Sequence, residues 1–176
     1  KGAALMTGTK YETKLISGIY EILVNRTGAM AMQKNLETLG EITYTKDEIN
    51  YANTILKETD KPQIGLNGKV TPLQETLPAQ GGSTDVGDVS QVVPTIRMSA
   101  TVASDGGPWH SWAVVACTGM SIGHKGMIYA AKALSMTMAD LYKDPKLVEA
   151  VKNDYRKNKS SKPYKPRILP GPPSLE

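Results

Sequence analysis

Apolar and polar positions alternate from Thr9 to Ile16, with Tyr11, Thr13 and Leu15 on one side and Lys10, Glu12 and Lys14 on the other. That period of two predicts a strand with one wet face. Just before it, Gly2 to Thr7 running into Gly8 resembles the end of a helix. After Val24-Asn25-Arg26 the period lengthens: Met30, Met32, Leu36 and Leu39 recur at helical spacing, and Gly40 stands where a C-cap glycine belongs. Thr45 with Glu48 makes a capping box, and Ile49, Ala52, Ile55 and Leu56 form an apolar stripe behind it, so a second helix follows at once. Between Thr59 and Gly82 three prolines and several glycines break any period, which predicts a long loop, mobile where nothing packs on it.

Thr95 to Val102 reads as a strand of mixed burial and Ala113 to Cys117 as a short buried strand, with the turn-rich tract Ser104 to Trp112 between them. Met127 to Tyr142 carries Ala, Leu and Met on nearly all sides and predicts a helix that is largely buried. Asp144-Pro145 supplies an N-cap and a proline for a shorter, charged helix ending near Tyr155. Beyond Lys157 the Lys, Ser and Pro content predicts an extended tail.

Composition narrows the class. A chain of 176 residues with 40% hydrophobic and 22% charged positions is sized for about one domain and is neither disordered nor membrane-spanning in its usage. With no Phe and eight Met, its core is expected to be soft and Met-rich. The net charge is +4, but many of the cations crowd Lys143 to Arg167, so the overall charge does not by itself argue for a nucleic-acid interface. The single cysteine, Cys117, lies in an apolar run and reads as a buried, inert thiol.

Candidate chemistry is sparse. His110 follows Gly-Gly-Pro-Trp and precedes Ser-Trp, a turn from which an imidazole projects toward a cleft as a ligand or serves as a structural turn residue. His124 precedes an expected helix start, where free N–H groups favour an anion; the other reading is a histidine tying a tight Gly-x-x-Gly turn. The tract Gly81 to Ser90 collects hydroxyls and two carboxylates, either acceptors near a metal or substrate or an Asp-capped turn. His-Glu-x-x-His, Gly-x-Ser-x-Gly and Walker patterns are absent from the sequence.

Five motifs in one order carry a resemblance: Gly2-Ala3-Ala4-Leu5-Met6-Thr7-Gly8-Thr9, Val24-Asn25-Arg26, Gly82 to Ser90, Trp109-His110-Ser111-Trp112 and Ser121 to Met127. Together they resemble the aminobenzoyl-glutamate utilization branch of the metal-dependent amidohydrolases and peptidases, the family of carboxypeptidase G and the aminoacylases. The likeness covers most of the chain but only the C-terminal part of such an enzyme. It implies an α/β fold, the C-terminal part of a catalytic α/β domain plus the last elements of a smaller α/β lid that mediates dimerisation. On that mapping residues 1–24 end the lid, 25–156 belong to the catalytic domain and 157–176 form a basic, Pro-rich tail.

The resemblance further implies hydrolysis of the amide bond of an N-acyl amino acid such as p-aminobenzoyl-glutamate, with two divalent ions, zinc or manganese. It implies a cytoplasmic homodimer when intact, with neither nucleic acid nor membrane as partner. His110 falls where the family carries its late metal ligand, in a Leu-His-Ser-Pro segment. Asp85 matches a Gly-Ser-Glu-Asp-Phe segment in which Thr84 replaces the Glu, and Asn25, Arg26, Asp85 and His124 are the implied substrate contacts, the other reading of Arg26 being a solvated surface residue beside a helix start. The general-base glutamate and the other ligands belong to the early half of the family, so this chain alone is expected to be inactive. The alternative is a truncated, non-catalytic module that only associates with a partner.

Overall fold

The computed structural model describes residues 1–75, 84–168 and 171. Among them the elements are α1 (Gly2–Thr7), α2 (Arg26–Leu39), α3 (Lys46–Glu58), α4 (Val86–Val92), α5 (Trp112–Thr118), α6 (Ser121–Lys143) and α7 (Pro145–Asn158). Helix accounts for 52% of the described residues and none of them is in a strand, so the expected α/β fold is replaced by an all-helical one.

The correction has a physical cause. A period of two identifies a strand only where a neighbour supplies the hydrogen-bonding ladder. Residues 9–16 are exposed along their whole length, and the segment's one backbone bond outside a helix runs from Thr9 N back to Ala4 O. Where extended segments do meet, each pair shares a single bond: Ile42 N donates to Gly68 O at 2.9 Å and Asp105 N to Gly65 O at 2.9 Å. The apolar run Ala113 to Cys117, expected as a strand, is instead α5, because Ser111 caps it by accepting from Ala113 N at 3.3 Å. Its buried positions Ala113 and Cys117 stand four apart, at helical spacing.

The capping signals hold. Gly8 ends α1 in the left-handed conformation at φ 64°. Asp144 accepts from Lys146 N at 2.9 Å with Pro145 opening α7. The end of α2 is closed by Tyr129 of α6, whose hydroxyl donates to Gly40 O at 2.9 Å.

α6 is the axis of the fold, packing against α2, α5 and α7. It begins at Ser121, earlier than the apolar pattern predicts, and runs through two glycines that sequence reading treats as breakers. Both are close approaches: a Cβ at Gly123 would stand 2.2 Å from Thr118 O, and one at Gly126 would stand 2.2 Å from Thr101 O. Nor is the helix largely buried. Ile122, Gly126, Ala133 and Thr137 form one covered stripe, while Met127, Ile128, Leu134, Met138 and Tyr142 face outward, with Met127 59% and Tyr142 84% exposed.

The main core gathers Ala52 and Ile55 of α3, Ala113 and Cys117 of α5 and Ile122 of α6, with Tyr44, Tyr51, Leu66, Ala103 and Ala116 packed against it. Methionine contributes little to it; Met32 is buried on α2, against α6. There Asn35 Nδ2 donates to Thr137 Oγ1 at 3.0 Å and to Asp140 Oδ2 at 2.8 Å, a buried polar bridge between α2 and α6. The loop after α3 is held through residue 75 by Leu66 in the core and by Gln33 Nε2 donating to Thr71 O at 3.3 Å; residues 76–83 lie outside the described residues.

One carboxylate joins α3 to α6. Glu48, 8% exposed, accepts from Thr45 N at 2.7 Å to complete the capping box, from Lys125 Nζ at 2.6 Å and from Ser121 Oγ at 2.6 Å. Burial pushes its pKa up, but the hydrogen bonds from Lys125, Ser121 and Thr45 outweigh that and hold it at about 2. A depressed folded pKa gives stability that is complete above the unfolded value of 4.5 and is lost as pH falls toward 2. Chemical denaturation from pH 6 to pH 2 should therefore show a loss of about 1–2 kcal/mol from this group. In Glu48→Gln that component should vanish, and an identical pH dependence in the variant would remove Glu48 from the account.

Candidate functional site

The turn that carries His110 is assembled from backbone constraints. Ser104 is buried and accepts from Gly107 N at 3.3 Å, Gly106 takes φ 73°, and Asp105 N donates to Gly65 O, which fixes the turn on the loop after α3. Ser111 Oγ donates to Pro108 O at 2.6 Å and caps α5 from the other side. Between these anchors His110 is forced to φ 58°. Among the described residues the other non-glycine with positive φ, Asp60, sits just past the C-cap of α3, where that conformation is ordinary. His110 ends no helix, so its strain of roughly 1–2 kcal/mol is held by the turn around it.

His110 is exposed, as are Trp109 and Trp112 of the same tract, at 69% and 54%. Beneath the turn lies a cavity of about 10 Å³ bounded by Ala103, Ser104, Gly107, Pro108 and Ala113, with room for about one water and no substrate. Whatever His110 meets, it meets at the surface.

The other sequence candidates lie in different places. Asn25 is 4% exposed and both ends of its amide are used: Oδ1 accepts from Gly28 N at 2.8 Å as the N-cap of α2, and Nδ2 donates to Val151 O of α7 at 2.9 Å. Arg26 is half-buried and its guanidinium donates to Gln74 O. Asp85 stands at the N-cap position of α4 without capping it; Thr84 Oγ1 accepts from Val86 N at 3.3 Å instead. His124 is exposed one turn inside α6, its N–H donating to Met120 O, rather than ahead of the helix. Among the described residues no hydrogen bond links Asn25, Arg26, Asp85, His110 and His124 to one another.

The donors present do not make a metal centre on their own. Among the described residues no three His, Cys, Asp or Glu side chains come together as a set able to hold an ion, so these residues do not fit a two-ion centre by themselves. His110 is a single, outward imidazole.

Sequence reasoning counted Asp88 among the acceptors of its tract but missed what it binds. Its carboxylate accepts from Tyr20 N at 3.2 Å and from the hydroxyl of Tyr164 at 2.8 Å, fastening both the early extended segment and the late tail to α4. Nothing in the local pattern around Asp88 announces such distant partners.

No family model and no solved structure matches the chain. One curated relative does: a p-aminobenzoyl-glutamate hydrolase subunit of Escherichia coli (strain K12), 31% identical over 189 aligned positions that take in 93% of this chain. The chain is similar to a hydrolase subunit. It spans 39% of that relative's length. Among the described residues no helix is long and apolar enough to cross a membrane.

The engagement of Asn25 yields a stability prediction. Asn25→Ala should leave the Gly28 N–H and the Val151 carbonyl without partners and lower stability by about 2 kcal/mol. Asn25→Asp keeps the cap but sets a carboxylate against a carbonyl, and should recover only part of the loss. Urea denaturation midpoints of the three proteins check this; equal midpoints would leave Asn25 available for a ligand.

Proposed function

We propose that this chain is the C-terminal part of a hydrolase subunit that cleaves the amide bond of an N-acyl amino acid such as p-aminobenzoyl-glutamate. The observation that carries the reading is the identity of 31% sustained over 93% of the chain to a hydrolase subunit for that compound. The outward apolar stripe of α6 supports it, because Met127, Ile128, Leu134, Met138 and Tyr142 on one helix are a surface that another polypeptide would cover. The relative's name makes it one subunit of a hydrolase, which supports assembly with further chains.

In this reading His110 offers one imidazole to a divalent-metal centre, zinc or manganese, whose other donors and general base lie outside the described residues. The ions would polarise an amide carbonyl and activate water. What this chain does for that site is positional: the strained turn holds the ring outward from a rigid base formed by Ser104, Ser111 and α5. A non-catalytic module that only associates with a partner is the second reading, favoured by the lack of a complete donor set among the described residues.

Two measurements separate them. The purified 176-residue chain should not turn over p-aminobenzoyl-glutamate, and turnover by it would overturn the division of labour proposed here. In a longer protein containing this chain, His110→Ala should lower bound divalent metal and reduce turnover at least about a hundredfold while circular dichroism is unchanged. Metal content and turnover equal to the parent at limiting metal would remove His110 from the centre. His124→Ala should keep the metal.

A further inference from the structure

The tail after α7 does not project freely. It returns to the early segment, where the Tyr20 hydroxyl donates to Lys165 O at 3.0 Å and the Tyr20 and Tyr164 rings meet with centroids 5.5 Å apart. Asp88 holds both tyrosines through the bonds already described. The result is an open groove of about 540 Å³, lined by Tyr20 and Tyr164 and by Lys159, Lys162, Lys165 and Arg167. That volume falls within the range of small-ligand sites, about 300–1,000 Å³.

The charge in this groove is one-sided. Among the described residues no acidic side chain lines it, and none of the four cations takes part in an ion pair. Four of the chain's 21 cationic side chains meet in this one groove. The nearby carboxylate of Asp88 has each oxygen engaged, one by Tyr20 N and the other by the Tyr164 hydroxyl.

Two of the cations are also held in position. The Arg167 guanidinium lies 4.5 Å from the Tyr20 ring centroid, and Lys159 Nζ lies 5.1 Å from that of Tyr155. Tyr155 in turn donates its hydroxyl to Gln91 O at 2.9 Å, so the lysine rests on a fixed ring. Cations placed on aromatic faces keep their N–H donors for a ligand and lose less side-chain freedom when one binds.

We propose that this groove is a binding site for a small multivalent anion, phosphate- or carboxylate-bearing, held by Lys159, Lys162, Lys165 and Arg167 against a wall made by Tyr20 and Tyr164. The anion offsets the mutual repulsion of the cations and takes charge-assisted hydrogen bonds from them. The site goes beyond the hydrolytic reading and shares none of its named residues.

Calorimetric titration of the full 176-residue chain with tripolyphosphate, citrate and tetraglutamate tests it. One equivalent should bind saturably, and affinity should fall at least about tenfold between 50 and 300 mM NaCl. Tighter tripolyphosphate than citrate or tetraglutamate binding assigns the phosphate source, and the reverse order assigns the carboxylate. Lys162→Ala with Lys165→Ala should weaken binding about tenfold or more with an unchanged circular dichroism spectrum, since both side chains are exposed. The pair Lys10→Ala with Lys14→Ala removes the same charge from residues that do not line the groove and should leave affinity unaltered. Tyr164→Phe, which keeps every charge but cuts the bond to Asp88, should weaken binding about two- to fivefold. The proposal fails if no probe saturates by about 1 mM, or if the Lys10/Lys14 pair weakens binding as much as the Lys162/Lys165 pair. It fails as a built site if Tyr164→Phe binds as the parent does.

Discussion

The fold depends on a buried carboxylate that serves two elements at once. Glu48 closes the N-terminus of its own helix through Thr45 and reaches across to Lys125 and Ser121 at the start of α6. A capping box alone is a local device that would form in an isolated helix. Here the same oxygens also receive a cation from another element, and Lys125 Nζ further donates to Thr43 O at 2.9 Å. The link therefore fixes three things together: where α3 starts, where α6 starts and how the segment before α3 lies between them. Because the helix starts are pinned, the small side chains Ala52, Ala113 and Cys117 come close enough to form the core, with no Phe to fill gaps.

What can be read from the sequence is local. Thr45 and Glu48, Asp144 and Pro145, and Gly8 each act within a few residues, and each is legible because the donor and acceptor of a cap lie on the same short stretch. The alternation at 9–16 misleads because it reports a half-wet face and not whether a neighbour exists. α5 reads wrongly as a strand because a five-residue apolar run has no period long enough to tell helix from strand, and Ser111 is the signal that decides it. Asn25 is also legible in principle. An Asn directly before a helical pattern is an N-cap before it is a ligand, and the second bond, to Val151, belongs to a partner 126 positions away that no local pattern shows. The positive φ of His110 is hidden for the same reason, since it follows from anchors on Gly65, Ser104 and Ser111 rather than from its own neighbours alone.

Two features cost free energy that the contacts within the described residues do not return. The outward stripe of α6 leaves large apolar side chains in water, and the His110 turn stores backbone strain without a helix end to explain it. They are different costs, one of hydration and one of conformation. In the assembly proposed above, the remainder of the protein would answer both costs, covering the stripe in one place and using the imidazole in the other.

The basic groove obeys another logic, because its wall is made from this chain and the hydroxyls of Tyr20 and Tyr164 in that wall are satisfied. Its two sides, Tyr20 and Lys165, are 145 residues apart in sequence, which suggests a long and costly closure. The effective loop is much shorter. α7 is already fastened to α4 by the Tyr155 hydroxyl on Gln91 O, and Asp88 of α4 already holds Tyr20, so only the stretch from Lys159, where α7 ends, to Tyr164 must be ordered to complete the wall. Closure cost rises with loop length, so closing this short stretch costs less than the separation of 145 positions implies. One hydroxyl–carboxylate bond from Tyr164 to Asp88 and the Tyr20–Tyr164 ring contact can then suffice to hold the tail, and with it four cations, in one place.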